Sequence, residues 1–140
     1  PINDQGTYQL NLDKEPSPGL HAIQLSNGDA IWSTIETDRC DDKLNWSCGP
    51  GITAGITATP QVVFAGALDG VLKAYDAKTG KELWSYDTNT TFESVNGVAA
   101  HGGTIDSDGP VIVDNQLFTT SGYAKFNEKA GNVLLAFEVQ

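Results

Sequence analysis

Two short stretches of the sequence carry groups that could do chemistry, Asn96-Gly97 and His101-Gly102-Gly103. His101 could donate a hydrogen bond to a carboxylate of a ligand or relay a proton, although a histidine in a surface loop is the commoner case. Gly102 and Gly103 would let the backbone approach a planar ligand closely, or let an inner strand pass where side chains do not fit. Asn96-Gly97 is either a ligand contact or a two-residue turn.

The composition leaves several other classes of function without support. The 140 residues carry a net charge of −10, and the eight Lys and Arg residues are scattered, which disfavours a nucleic-acid partner. There is no run of about eighteen apolar residues, so no membrane span is expected. The sequence contains no Gly-x-Ser-x-Gly, phosphate-binding loop or His-Glu-x-x-His motif, so hydrolase, nucleotide-binding and zinc-protease activities are not indicated.

Cys40 and Cys48 lie in one polar stretch with seven residues between them. We expect a local disulfide, which implies an oxidising compartment and a periplasmic or secreted location. Two free cysteines are the alternative. A metal site is not expected, because no second Cys/His pair accompanies these two residues. Trp46 lies beside Cys48 and is expected to pack over the closed loop rather than against a ligand.

The elements that position these groups are indicated by a hairpin. Gly70–Asp76 alternates apolar and polar residues like a strand, and Lys81–Tyr86 is typical of a second strand. Ala77–Gly80 between them has turn chemistry, with a glycine suited to positive φ. The second strand carries a large aromatic anchor, Trp84.

The hairpin belongs to a repeat. Gly19–Trp32 resembles it at a length one residue shorter, and Trp32 and Trp84 lie 52 positions apart. Asn132–Glu138 supplies the first strand a third time. Matching pairs of short strands precede the second and third copies, at Ile56–Gly66 and Asp108–Thr120. A four-stranded repeat of about 50 residues predicts an all-β fold made of propeller blades.

The blades can be assigned along the chain. Residues 1–34 supply the outer strands of one blade, 35–88 a complete blade and 89–140 the inner three strands of the last blade, all in one propeller domain. Because known propellers need about four blades or more, we expect this sequence to be a piece of a larger ring, with eight blades as a candidate number. Its first partner is then the remainder of the propeller, on the same or another chain.

Several strings carry a family resemblance. Ala74–Trp84 resembles the tryptophan-docking motif of the quinoprotein alcohol dehydrogenases. Phe92–Asp106, and Ser121–Tyr123 followed by Gly131–Phe137, are similar to the C-terminal region of polyvinyl-alcohol dehydrogenase-like quinoproteins. Cys48–Ala54, which leads into Val63–Gly70, adds to this similarity. The resemblance covers about residues 19 to 138. The first copy of the docking motif departs from the pattern, with Gln24 in place of Asp and Asn27 in place of Thr.

The resemblance implies a function and its cofactors. It implies oxidation of a small or polymeric alcohol, with pyrroloquinoline quinone at the propeller axis, a Ca²⁺ ion beside it and a cytochrome-type electron acceptor. Trp32 and Trp84 would be structural and wedge between blades. The candidate cofactor-binding residues are those of the inner-strand strings: Gly51, Ile52, Thr53, Asn96, Gly97, His101, Gly102 and Gly103.

Two points stay open on the sequence. No Asp or Glu stands out as a catalytic base or a Ca²⁺ ligand, so the catalytic residues are unassigned and the Ca²⁺ ligands are expected outside this segment. A non-catalytic propeller that uses the same repeat as a binding or assembly scaffold is the alternative function, because a fold does not fix an activity.

Overall fold

The computed structural model describes residues 17–41, 46–106 and 108–138. None of these residues belongs to a helix, so this part of the chain has no helix that could cross a membrane. The strands, in chain order, are β1 Gly19–Ile23, β2 Ala30–Ile35, β3 Thr57–Ala58, β4 Val62–Gly66, β5 Val71–Asp76, β6 Glu82–Asp87, β7 Thr91–Glu93, β8 Ala99–His101, β9 Val111–Val113, β10 Gln116–Ser121 and β11 Val133–Glu138.

The central unit is a four-stranded antiparallel sheet with the order β3-β4-β5-β6. The predicted hairpin is present as β5 and β6, each beginning one residue later than the sequence indicates. A register shift next to Ala74 and Tyr75 marks an irregularity where β5 meets β6. Strands joined to their chain neighbours by tight turns are the construction of a propeller blade.

Three smaller sheets accompany it. β1 and β2 form a two-stranded sheet, and β9, β10 and β11 form a three-stranded sheet in which β10 is central. β7 and β8 form a separate hairpin between the second and third units. The sequence did not predict its two strands, although a turn at Asn96-Gly97 was one of the two interpretations of that dipeptide. The prediction for residues 1–34 falls partly on residues 1–16, which lie outside the described ranges.

The core shows how the sheets stack. On one face of the central sheet, Val63, Ala65 and Tyr75 pack against Leu20 of β1. On the other face, Leu72 packs with residues of the three-stranded unit and its preceding segment, namely Ile105 and Leu117. Because side chains alternate between the two faces of a strand, the central sheet is covered on both sides. The chain is therefore part of a β-propeller, as predicted.

Two tryptophans project from the last strand of their sheets towards the next sheet. The indole Nε1 of Trp32 on β2 donates a hydrogen bond to the carbonyl oxygen of Ala77 at 3.2 Å. Its ring covers Gly80, where an added Cβ would lie 2.7 Å from Trp32 Cδ2. Trp84 on β6 meets Phe137 of β11 edge to face, with ring centroids 5.2 Å apart.

The predicted disulfide is confirmed. Cys40 and Cys48 are bonded, with Cα atoms 5.8 Å apart. The bond joins two segments, residues 36–41 and 46–51, which we call the disulfide arms. The first arm leaves β2 and the second leads towards β3.

Candidate functional site

The turn between β4 and β5, residues 67–70, is the meeting point of the candidate site. The Leu68 N–H donates to the Gly51 carbonyl at 3.0 Å, which brings the second disulfide arm to the turn. From the other side, Ile105 N–H donates to the Ala67 carbonyl at 3.2 Å. Thr104 Oγ1 donates to the Leu68 carbonyl at 3.1 Å. The structure thus brings the strings around Gly51 and Gly102-Gly103 to opposite sides of one turn.

Thr104 also fixes the longest loop of this region, residues 122–131. Its carbonyl accepts the N–H groups of Gly122 and Tyr123, at 2.8 and 3.2 Å. Its N–H donates to the Lys129 carbonyl at 3.0 Å, and its Oγ1 accepts the Lys129 N–H at 3.1 Å. Thr104 is fully buried. One residue therefore ties together both ends of the loop, and sequence reasoning did not single it out.

The disulfide arms close this arrangement into a ring. The Arg39 guanidinium pairs with the Asp69 carboxylate of the turn at 2.6 Å. The Ser47 N–H donates to the Asn127 carbonyl at 2.6 Å, and Ser47 Oγ donates to the Phe126 carbonyl at 3.4 Å. We call the five connected segments the loop ring: the two disulfide arms, the turn 67–70, residues 101–106 and the loop 122–131.

Gly102 and Gly103 lie in the most crowded part of the loop ring. A Cβ at Gly102 would overlap the Thr88 carbonyl oxygen and lie 2.8 Å from Ser121 Oγ. A Cβ at Gly103 would overlap the Lys129 carbonyl oxygen. Protein backbone thus fills the space that a side chain would need at both positions. Packing within the protein therefore explains why both positions are glycine. A contact between these glycines and a cofactor stays a prediction.

Ser121 completes this buried contact. Its Oγ accepts the Gly103 N–H and also lies 2.9 Å from the Gly103 carbonyl. Thr88 Oγ1 lies 2.7 Å from Ser121 Oγ and donates to the Gly70 carbonyl at 2.6 Å. The hydroxyl groups of Ser121 and Thr88 therefore provide hydrogen bonds to the backbone of Gly103 and Gly70, where the loops meet and no strand partner is present.

The candidate residues Gly51, Ile52 and Thr53 lie in a less crowded part of the structure. Beside Gly51, an added Cβ would find Leu68 Cδ1 at 3.8 Å, which is an ordinary contact distance. Ile52 packs against the core cluster between the first two sheets. Thr53 is exposed. Of this string, Gly51 and Thr53 leave room for a ligand, whereas Ile52 faces the core.

Asn96 and Gly97 form the turn of the β7–β8 hairpin. Gly97 has φ of +72°, and its N–H donates to the Ser94 carbonyl at 3.1 Å. Asn96 Oδ1 accepts the Val98 N–H at 3.2 Å and the Ser94 hydroxyl at 2.8 Å. Both residues are exposed. These hydrogen bonds support the turn interpretation, and contact with a ligand is a separate prediction.

His101 ends β8 at the edge of the loop ring, with its side chain exposed. Its Nδ1 lies 3.3 Å from the Gly102 carbonyl. Asn132 pairs with its backbone: Asn132 Oδ1 accepts the His101 N–H at 3.0 Å, and Asn132 N–H donates to the His101 carbonyl at 2.9 Å. The backbone of His101 is thus fixed while its ring can reach a ligand.

A charged cluster anchors the first disulfide arm to the central sheet. The ammonium of Lys73 on β5 pairs with Glu36 and, at 2.9 Å, with Glu82. The Tyr75 hydroxyl donates to Glu36 at 2.5 Å. Burial, and then the hydrogen bond to Glu36, raises the pKa of Tyr75 far above its ordinary value. The hydrogen bond from Lys73 lowers the pKa of Glu82 against a smaller opposing effect of burial.

The charged groups do not form a metal centre within the described ranges, where no three His, Cys, Asp or Glu side chains are grouped closely enough to hold an ion. A cavity of about 550 Å³ lies at the other end of the central sheet, between β6 and the three-stranded sheet. Trp84, Phe137 and Ile112 contribute to its apolar lining. None of the candidate cofactor-binding residues lines this cavity.

Comparison with known proteins places the chain in a family. Residues 18–140 match the PQQ_2 family model, which is described as outer membrane protein assembly factor BamB. The match extends over most of the chain, from the start of the first described sheet onwards. The chain belongs to the PQQ_2 family. The family resemblance predicted from the repeat and its strings is thereby confirmed.

Proteins similar to this chain in sequence include dehydrogenases. Polyvinylalcohol dehydrogenase from Pseudomonas sp. is 33% identical over 143 residues, covering 96% of this chain and 22% of that protein. Polyvinylalcohol dehydrogenase from Sphingopyxis sp. (strain 113P3) is 33% identical over 135 residues, covering 87% and 20%. Quinohemoprotein alcohol dehydrogenase ADH-IIG from Pseudomonas putida is 34% identical over 74 residues, covering 52% and 10%. The chain spans about a fifth of the length of the polyvinylalcohol dehydrogenases.

A solved structure is also similar. The crystal structure of BamB from Moraxella catarrhalis aligns with 87% of this PQQ_2 chain and 44% of its own chain. The TM-score is 0.43 and the sequence identity is 17%.

Proposed function

We propose that this chain is the C-terminal portion of a quinoprotein dehydrogenase that oxidises an alcohol with pyrroloquinoline quinone. The observation that carries the proposal is the 33% identity to polyvinylalcohol dehydrogenase, which extends over 96% of the chain. The loop ring supports it, because functional residues are commonly held on loops that a rigid scaffold positions. Small and polymeric secondary alcohols are the proposed substrates.

In this proposal, residues in and next to the loop ring hold one edge of a planar cofactor. Gly51 and Thr53 leave space beside the turn 67–70, and His101 presents an exposed imidazole on a fixed backbone. In this proposal Gly51 and Thr53 bind and orient the ligand edge, and His101 donates a hydrogen bond to it. When bound, pyrroloquinoline quinone accepts the electrons taken from the alcohol. In this proposal the Ca²⁺ ligands lie in other parts of the longer protein, and the catalytic base stays unassigned.

The two tryptophans have a structural role in this proposal. Trp32 covers Gly80 and donates to Ala77 in the turn of the next sheet, and Trp84 contacts Phe137 of the sheet after that. These contacts support a docking role in which each sheet holds the next one. They also support the assignment of residues 35–88 as a complete blade.

The location and the electron acceptor follow from the same proposal. The bond between Cys40 and Cys48 supports a periplasmic or secreted protein, because disulfides persist in oxidising compartments. A cytochrome-type acceptor is proposed because one relative is named a quinohemoprotein.

A scaffold is the second candidate function, and the family description favours it. The PQQ_2 model is described as outer membrane protein assembly factor BamB. In that case the loop ring would bind a protein partner without any cofactor, and the exposed residues of the β7–β8 hairpin would extend the contact surface.

The test uses the full-length protein that contains this sequence. It is titrated with pyrroloquinoline quinone in the presence of Ca²⁺, and dye reduction is followed with secondary alcohols. We expect saturable quinone binding and alcohol-dependent dye reduction, with neither signal when the cofactor is left out. If the protein binds no quinone and reduces no dye with any of the alcohols, the scaffold function is favoured instead.

A further inference from the structure

The first disulfide arm is held firmly by the central sheet. Glu36, at its start, accepts hydrogen bonds from Lys73 and Tyr75, and its side chain is only 9% exposed. Arg39, one residue before Cys40, pairs with Asp69 through both Nε and Nη2, at 3.1 and 2.6 Å. The position of Cys40 is therefore set by contacts of this arm with β5 and with the turn 67–70.

The disulfide links the second arm to this fixed first arm. Cys48 is bonded to Cys40, and Ser47 directly precedes Cys48. Ser47 in turn holds the tip of the loop 122–131 through the carbonyls of Asn127 and Phe126. A continuous path of contacts thus runs from Asp69 through the disulfide to the loop tip.

The loop 122–131 needs such support at its tip. Thr104 fixes the loop at Gly122, Tyr123 and Lys129, but its hydrogen bonds do not reach residues 126 and 127. Within the described ranges, the hydrogen bonds of the tip to the rest of the molecule come from Ser47. Another bond of the tip is internal, from the Phe126 N–H to Glu128 at 2.5 Å.

The loop 122–131 presents apolar surface to solvent, both at its tip and at its base. The side chain of Phe126 is 67% exposed and that of Tyr123 is 39% exposed. An exposed aromatic residue on a loop whose backbone is fixed can contact a ligand without a further cost in loop ordering. In a protein that oxidises alcohols, such a loop would meet the part of the substrate beyond the reacting carbon.

We propose that the Cys40–Cys48 disulfide is a positioning element that holds the loop 122–131, through Ser47, as a substrate-contacting wall of the alcohol-oxidising site. The substrate part of this inference rests on the proposed function, whereas the positioning of the loop does not. Reduction by a dithiol reagent breaks the Cys40–Cys48 bond and gives two cysteine thiols, while the reagent is itself oxidised to a disulfide. The arms then keep their contacts to Asp69 and Leu68 but lose the link that fixes Ser47.

The first measurement follows amide hydrogen exchange in the full-length protein. In the variant with Cys40→Ser and Cys48→Ser, the amide of Ser47 loses its bond to the Asn127 carbonyl and is expected to exchange about fivefold faster or more. The amide of Phe126 should also exchange faster, because its own bond to Glu128 depends on an ordered loop tip. Exchange at Leu72, buried on β5, should not change. Equal exchange at Ser47 and Phe126 in the variant and the wild type would overturn the positioning role, whatever the activity.

Ser47→Pro provides a second variant in case the cysteine variant does not fold. It removes the N–H donor and leaves the disulfide intact, so Phe126 should again exchange faster. Because the disulfide is retained, an unchanged exchange rate at Phe126 would show that Ser47 does not hold the loop tip.

The second measurement separates KM from kcat for a long secondary alcohol. Both variants should raise KM about fivefold while kcat changes less than about twofold, because the loop contacts substrate and not the reacting carbon. Faster exchange with an unchanged KM would overturn the substrate wall and keep the positioning. A wild-type protein without any alcohol-dependent activity would instead refute the proposed function, and the exchange data would still decide the positioning.

Discussion

The indole of Trp32 lies so close to Gly80 that no side chain fits between them. The two residues belong to different sheets, because Trp32 is on β2 and Gly80 is in the turn between β5 and β6. The Nε1–H donated to Ala77 fixes the ring over the same turn. The β1–β2 sheet thus packs on the turn between β5 and β6 through Trp32. Because a side chain at position 80 would occupy the place of the indole, glycine at this position is required for the two sheets to stack.

Gly80→Ala should therefore lower the free energy of unfolding by about 2–3 kcal/mol, from the strain of a positive φ and the overlap with Trp32. Gly28→Ala is the matched control. Gly28 also has a positive φ, +79°, but no atom lies within 4 Å of its added Cβ. Its cost should be about 1 kcal/mol. Urea denaturation measures both, and equal losses would show that the Trp32 contact contributes nothing.

Lys73→Met should destabilise the protein by about 2–3 kcal/mol, because it leaves the Glu36 carboxylate without its cation in a nearly buried position. The side chains of Lys73 and Glu36 are 15% and 9% exposed. Lys81→Met is the control, because Lys81 is exposed. Adding Glu36→Gln to Lys73→Met should restore part of the loss in the same denaturation assay. A double variant less stable than Lys73→Met would contradict this explanation.

Tyr75 should make the protein less stable at alkaline pH. Its pKa is raised above the ordinary value of 10.0 by burial and by the hydrogen bond to Glu36. The unfolded chain therefore loses this proton at a lower pH than the folded protein, so stability falls as the pH rises above about 10. Burial alone would lower the pKa of Lys73, but hydrogen bonds to Glu36 and Glu82 raise it, so Lys73 acts in the same direction.

Tyr75→Phe removes one of these two titrating groups. The fall in the urea midpoint between about pH 8 and about pH 11 should be shallower in the variant than in the wild type. The variant should be less stable than the wild type at pH 8, by about 1 kcal/mol, because a hydrogen bond is lost. Parallel curves for the two proteins over this range would exclude Tyr75 as the source of the pH dependence.

Gly51→Ala and Gly102→Ala should separate ligand binding from folding. At Gly51 an added methyl group meets only Leu68 at 3.8 Å, so stability should stay within about 0.5 kcal/mol of the wild type. At Gly102 the methyl group overlaps the Thr88 carbonyl, and a loss of about 2 kcal/mol is expected. If Gly51 contacts the cofactor, quinone titration of the full-length protein should show weaker binding in Gly51→Ala. Unchanged affinity would remove Gly51 from the site.

Local features of the chain were predictable from the sequence. The β5–β6 hairpin depends on alternation and on turn residues such as Gly80, all of which are neighbours in sequence. The Cys40–Cys48 disulfide was predictable because both cysteines lie in one short polar stretch. The strands of the β7–β8 hairpin, residues 91–93 and 99–101, were not predicted, because three-residue strands carry too little alternation of apolar and polar residues to be recognised.

The candidate site was less predictable, because its key contacts join residues without a local signal. Thr104 is a buried hydroxyl residue inside a glycine-rich string, and nothing in its neighbours indicates that it binds the loop 122–131. Ser47 was likewise overlooked beside Trp46 and Cys48. For Gly102 the sequence left two explanations open, and only the position of the Thr88 carbonyl shows what fills the space.

The loop ring also has a consequence for the order of folding. Thr104 and Leu68 are 36 positions apart, and Ser47 and Phe126 are 79 positions apart. The entropic cost of closing a loop grows with the separation of its ends, so contacts of this kind form after the local hairpins. The sheets can therefore form before the ring does, and the contact between Ser47 and the tip of the loop 122–131 would be among the last to be made.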